Sequence, residues 1–283
     1  MVKSSTKAIG TFIAVSALVL GYAITDNHSG HKTKDETIKH ISSWASKESY
    51  SARKSSSNSD NFISGTRSLK TLGDEAISPV KSQLPSGTVT YTNGSYEYSA
   101  DNGLNANITS APYVNLSKLD SYRRAGRADA FLNKSTRQYQ TRDKTGNATT
   151  IKPIGWHQTK IGNKFAYNRG HLIGYALAGN LSRAKFDASE SNDRNIITQT
   201  YWANQKGSSN ARGQLYYETL VRKALDANKR VRYRVTPIYN GSELVARGTL
   251  LQAKSSDGSL NFNVFVPNVA PEFTIDYATG YVK

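Results

Sequence analysis

The chain has 283 residues, 37 of them Lys or Arg against 21 Asp or Glu, for a formal net charge of +16. That balance points to a polyanionic partner, either nucleic acid or an anionic membrane or wall surface. The absence of cysteine excludes disulfide scaffolds, thiol catalysis and cysteine-ligated zinc.

In chain order, a basic start, Met1 to Lys7, precedes an uncharged and mostly apolar stretch from Ala8 to about Ile24. This pattern marks an export signal, and it is close to the ~20 residues that a membrane-spanning helix needs. Residues 1–25 are therefore read as a signal peptide or an N-terminal membrane anchor, with the remainder exported in either case. Residues 26–87 are rich in Ser, Lys, Asp and Asn without a sustained hydrophobic period, which predicts a flexible polar linker. The catalytic domain is expected to span 88–283.

Within that domain, Asn93-Gly94 between two β-prone runs predicts a hairpin over Val89 to Tyr98. Helices are predicted over Ser117 to Asn133 and over Gln214 to Asn228, the second with Tyr217, Leu220, Val221 and Ala224 at helical spacing. Partial alternation predicts strands over Arg230 to Tyr239, Leu244 to Lys254 and Leu260 to Val266, with Asp257-Gly258 turning between the last two. Strands and helices mix without regular βαβ order, so the fold class is α+β.

The chemistry concentrates in one run of motifs: Asn168-Arg169-Gly170-His171, then Asn195 and Gln199, then Trp202-Ala203-Asn204-Gln205, then Glu218 and Arg222. Two short strands followed by a helix would bring these residues together. Phosphodiester hydrolysis needs a base for the attacking water, and a neutral histidine suits that task. It also needs positive charge on the phosphoryl oxygens and the leaving oxygen, which a divalent cation can supply. Only His157 and His171 fall in the domain, too few for a three-histidine zinc site, so a hard cation held by oxygen is the better expectation.

Taken singly, these residues have plainer readings. Asn204 is commonly a cap or turn residue. Glu218 and Arg222, four apart on a helix, form an ordinary surface pair. Arg232 and Arg234 alternate with apolar neighbours and would project from one side of a strand, where they suit phosphate tracking or simple solvation.

Together the motifs resemble the DNA/RNA non-specific endonucleases of the ββα-metal finger class, whose signature is Asp-Arg-Gly-His. The likeness is greatest to Gram-positive DNA-entry nucleases and secreted streptococcal-type DNases. It spans roughly Thr88 to the C-terminus through Leu119-Asp120, Gly126-Arg127-Ala128, Gly155-Trp156-His157, His171-Leu172-Ile173-Gly174-Tyr175 and Trp202 to Gln205. The resemblance implies a central antiparallel sheet flanked by helices, with a ββα-metal finger as the active site. It implies His171 as general base and Asn204 as the ligand of Mg²⁺, for which Mn²⁺ can substitute. Glu218 would orient water around the metal, and Arg222 would contact the phosphate or the leaving group. Arg169 and Arg127 become candidate phosphate contacts, while Asn195 and Gln199 would position the site or the substrate. The expected activity is exported, largely sequence-non-specific cleavage of DNA, with RNA as a further substrate. The N-terminal segment is expected to engage the membrane or the secretion machinery.

One position departs from the signature: Asn168 stands where the family has Asp. It supports an alternative, a surface-anchored DNA-binding or uptake protein with impaired catalysis. A cationic wall- or membrane-binding module would explain the charge but leaves the His171 to Arg222 motifs without a use.

Overall fold

A computed structural model describes residues 67–283. The apolar N-terminal run and most of the polar segment, residues 26–66, lie outside the described residues. No helix among the described residues is long and apolar enough to cross a membrane.

The first element, α1 (Leu69–Ile77), is capped by the Ser68 hydroxyl, which accepts from the Thr71 N–H, and it runs into a 3-10 turn over Ser78–Gln83. Leu72 and Ala76 of α1 pack with Val269, and Val80 of the turn is fully buried with Tyr96, Ile238 and Phe265. Packed structure therefore begins by Leu69, which corrects the expected linker boundary at residue 87. Single hydrophobics in a polar stretch looked unpatterned because their partners are far away in sequence.

The predicted hairpin is β1 (Val89–Thr92) and β2 (Ser95–Tyr98). Asn93 and Gly94 both take positive φ, +48° and +107°, as a two-residue turn between right-twisted strands requires. Next come β3 (Tyr113–Leu116) and β4 (Ala128–Leu132), where a helix was expected over Ser117 to Asn133. Asp120 is the local reason. Its carboxylate accepts the backbone N–H groups of Tyr122 and Arg124, and Arg123 turns into the left-handed region at φ +60°. Pairing of Ala128 to Leu132 with strands on both sides supplies the rest.

A small ribbon, β5 (Lys160–Ile161) and β6 (Lys164–Phe165), leads into β7 (Tyr167–His171). After the one-turn helix α2 (Tyr175–Ala178) come β8 (Ile196–Thr200) and α3 (Tyr201–Gln205). A second ribbon, β9 (Gly207–Ser208) and β10 (Ala211–Arg212), precedes the long helix α4 (Gln214–Asp226). The three predicted C-terminal strands are β11 (Val231–Ile238), β12 (Gly248–Ser255) and β13 (Asn261–Pro267).

The central sheet has seven strands in the order β1-β2-β13-β12-β11-β4-β3, every neighbouring pair antiparallel. Alternation decides its faces. Val231, Tyr233 and Val235 point into one apolar cluster with Tyr217, Val221 and Leu225 of α4 and with Leu172, Ile173 and Ile197 around β7 and β8. Arg232 and Arg234 point to the opposite face. The β7–β8–α3 unit thus sits against one side of the sheet, seated through apolar contacts.

Candidate functional site

β7 and β8 pair antiparallel, with Asn168 opposite Gln199 and His171 opposite Ile196. Phe165, Tyr167, Asn168, Arg169 and His171 all line one open cleft of about 620 Å³. Asn204, brought in by α3, lines the same cleft, as do Lys152, Trp156 and Glu190. The side chain of Thr200 caps α3 by accepting from the Ala203 N–H, so the end of β8 directly sets where Asn204 stands.

His171 meets a residue that sequence reading missed. The Arg142 guanidinium lies 2.5 Å from its Nε2, rests 4.4 Å over the Tyr175 ring, and faces Glu190 at 3.8 Å. A second Arg142 nitrogen donates to the Ala188 carbonyl. Burial, and then the Arg142 charge, lower the His171 pKa to about 3, so the ring is neutral at physiological pH. Nothing local marks Arg142: it stands 29 residues before His171 in a polar loop.

Arg169 donates through Nε to the Ile151 carbonyl and stacks 4.9 Å from the Trp156 ring, which fixes its guanidinium at the cleft wall.

Beneath the cleft, polar contacts converge on Gln214, which is 1% exposed. Its amide nitrogen donates to the His171 carbonyl and to the Glu218 carboxylate, and its oxygen accepts from Gln199 Nε2. The chain of amides has a direction. Two acceptors, a carbonyl and a carboxylate, force the Gln214 nitrogen toward them. Its oxygen must then face Gln199 Nε2, which turns Gln199 Oε1 toward the β7 side of the ladder. There Gly170 leaves room, since a Cβ would come within 2.1 Å of that oxygen. Gln199 Oε1 and Asn168 Nδ2 are both buried without a partner among the described residues, an acceptor and a donor on register neighbours. A carboxylate at 168 would set acceptor against acceptor. Asn168 suits the polarity of the chain.

Glu218 lies against Gly174, with its carboxylate 3.1 Å from where a Cβ would stand. Burial raises its pKa to about 7, opposed by the Gln214 hydrogen bond and by the charges of Arg222 and Arg142. Arg222, one turn further along α4, donates to the Thr219 hydroxyl at 2.7 Å. Neither Glu218 nor Arg222 is among the residues that line the cleft.

Three residues expected to contact the substrate or to position the site lie outside the cleft lining. Asn195 is fully buried, accepting from the Ile173 N–H and donating to the Ile173 carbonyl, so it braces the segment after His171. Gln199 is 1% exposed and belongs to the amide chain. Arg127 pairs with Asp129 at 2.8 Å, and the same carboxylate takes Arg234 at 2.8 Å and Arg232 at 3.5 Å. That cluster occupies the sheet face opposite α4. Neither Arg127 nor the Arg232–Arg234 pair reaches the cleft, because strand alternation turns them away from it.

The donor set fits a hydrated hard cation. Among the described residues no three His, Asp or Glu side chains converge as a metal cage. The cleft instead offers amide oxygens, Asn204 among them, and Glu190. Such a set suits a cation that keeps most of its waters.

A profile of DNA/RNA non-specific endonucleases matches residues 105–257. The chain belongs to that family. The DNA/RNA non-specific endonuclease fold is also that of NucA from Streptococcus agalactiae solved with a magnesium ion bound. That structure is 43% identical, has a TM-score of 0.68, and is matched over 73% of this chain and 95% of its own. NucA without metal gives 43% identity and a TM-score of 0.65, over 76% and 95% of the two chains. A deoxyribonuclease from Streptococcus dysgalactiae subsp. equisimilis is 34% identical over 123 residues, which are 42% of this chain and 33% of that protein. The chain therefore spans about a third of the length of that relative. The expected architecture, an antiparallel sheet flanked by helices with a ββα unit, is the one this family member has.

Proposed function

We propose that this endonuclease-family protein is exported and hydrolyses phosphodiester bonds of DNA, and of RNA as a second substrate, with a divalent cation and little sequence preference. The observation that carries this reading is the shared cleft: a strand–strand–helix frame brings His171 and Asn204 to it, with Arg142 against the His171 ring, in a chain of net charge +16. The magnesium in NucA from Streptococcus agalactiae supports Mg²⁺ as the cation. Mn²⁺ is the expected substitute.

His171 is the general base. Its neutral ring is the form that can accept the proton of the attacking water, and the nitrogen with the free lone pair now receives an N–H from Arg142. A phosphate oxygen is a stronger acceptor than imidazole. On substrate entry Arg142 therefore turns to the phosphate and leaves the His171 nitrogen free. Arg169 and Lys152 add positive charge along the wall, holding the backbone without reading bases. Asn204 supplies an oxygen ligand to the cation, which when bound neutralises the phosphoryl and leaving oxygens. Glu218, set by Gln214, would orient water around the cation, and the Arg222 charge draws its pKa down against the burial that raises it to about 7.

The apolar segment Ala8 to Ile24 supports export, by a cleaved signal or as an anchor. The binding-only alternative rests on Asn168, for which the amide chain offers a structural reason.

Plasmid digestion by the full chain tests the reading, with Mg²⁺, with EDTA and with His171→Ala. Mg²⁺-dependent nicking that disappears in the variant is expected. Intact plasmid in every lane, with binding retained, would establish the alternative.

A further inference from the structure

Among the described residues six large hydrophobics are exposed, and of these Phe165 alone lines the cleft of His171 and Asn204. Phe165 is 58% exposed and belongs to none of the apolar clusters, whereas its ribbon neighbour Ile161 packs against one. It is presented by a short two-stranded ribbon, paired with Lys160 and turned through Gly162 at φ +55°. It stands just before the strand that carries Arg169 and His171 along the cleft wall.

A phenyl ring in that place leaves more than half of its area in water and joins no apolar cluster among the described residues. Nor does it help to hold phosphate, a task the adjacent Arg169 and Lys152 already suit. What it offers is a flat π-face beside a site that grips a sugar–phosphate backbone, and every nucleobase can stack on such a face. A base inside an intact duplex has both of its faces covered by neighbours. A base that reaches a protein ring must first leave its stack, and that costs least where the strand is single or distorted.

We propose that Phe165 is a nucleobase-stacking residue next to the scissile phosphate, which makes single-stranded or locally unpaired nucleic acid the preferred substrate of the cleft. The proposal rests on the nuclease reading above and adds to it a contact and a strand preference.

The test is binding of the full chain to a single-stranded oligonucleotide carrying 2-aminopurine, in EDTA so that no cleavage occurs, at several salt concentrations. Phe165→Ala should weaken binding about 5- to 100-fold and abolish the change in 2-aminopurine fluorescence, as the loss of one stacked base does. Phe165→Trp should retain both signals, while Phe165→Leu, apolar without a π-face, should behave like the alanine variant. The dependence of log affinity on log salt should stay as in wild type, because no phosphate contact is lost. A matched duplex should show a smaller loss than the single strand.

Unchanged binding by Phe165→Ala would overturn the proposal, as would rescue by leucine equal to that by tryptophan. A fall in the salt slope would do the same, since it would mark a phosphate effect. If wild type cuts plasmid and only these outcomes fail, the nuclease reading stands alone. If folded wild type neither binds nor cuts nucleic acid, both readings fall.

Discussion

The central sheet and the β7–β8–α3 unit that packs on it share one apolar core but differ in what else they bury. The sheet is held by apolar area: Val231, Tyr233, Val235, Leu251 and Phe265 are fully buried. The unit around His171 joins that core through Leu172, Ile173 and Ile197 and adds buried amides, Asn195, Gln199 and, from α4, Gln214, each no more than 1% exposed. Apolar burial is strong but tolerant of how side chains are turned. A buried amide is satisfied only in one orientation, and an unmet partner costs free energy. The molecule thus draws its stability from the shared core and its angular definition from the amides, and substitutions should separate the two.

The largest effect expected is on rate. His171→Ala should lower kcat for DNA cleavage by about 10²- to 10⁴-fold, the usual share of a general base. Its melting temperature should stay close to wild type; a large drop would mean that the ring supports the fold instead. In the sheet the balance reverses. Leu251→Ala should cost about 2–5 kcal/mol in denaturant unfolding while the folded fraction keeps its kcat. A selective loss of kcat there would couple the two regions more tightly than their contacts suggest.

Glu218→Gln sharpens the contrast through pH. The folded pKa of Glu218 is raised from 4.5 to about 7, so the native state favours the protonated form. The resulting stabilisation is complete below about pH 4.5, where both states are protonated, and it is lost as pH rises through 7. Without metal, the glutamine variant should match wild type at pH 4. At pH 8 it should be more stable by about 3 kcal/mol, since wild type must then bury a charge. Equal stability at both pH values would show that Glu218 is not buried in the sense described. Asn168→Asp tests the direction of the amide chain. Placing an acceptor opposite Gln199 Oε1 should cost about 1–3 kcal/mol at neutral pH, and a stabilising result would refute the polarity argument.

The smallest effect belongs to Arg127→Ala. On the far face of the sheet and sharing Asp129 with two other arginines, it should change stability by less than about 0.5 kcal/mol. The salt slope of DNA binding should not change. A slope reduced by about one would return Arg127 to the substrate path.

Much of this was legible in the sequence where the determining contacts are local. Asn93-Gly94 dictated its turn, the spacing of Tyr217, Val221 and Ala224 dictated α4, and alternation dictated β11. The motif run also placed His171 and Asn204 on one frame. The helix expected over Ser117 to Asn133 failed because Asp120 closes a turn and Ala128 to Leu132 take their pairing from β3 and β11. The linker boundary at residue 87 failed for a related reason, since Leu72, Ala76 and Val80 are covered by residues from the far end of the chain.

By itself, then, the sequence determined the family, the α+β class and the identity of the cleft histidine and asparagine, because motif order and short-range periodicity are properties of neighbours along the chain. Only the tertiary structure decided which polar residues face solvent and which face each other. It put Asn195, Gln199 and Gln214 beneath the cleft, turned Arg127, Arg232 and Arg234 to the far side, and delivered Arg142 and Phe165 to the site. Residue type records what a side chain can bond or stack with. Which partner it meets depends on strand register and face, and these are set only when distant segments pack.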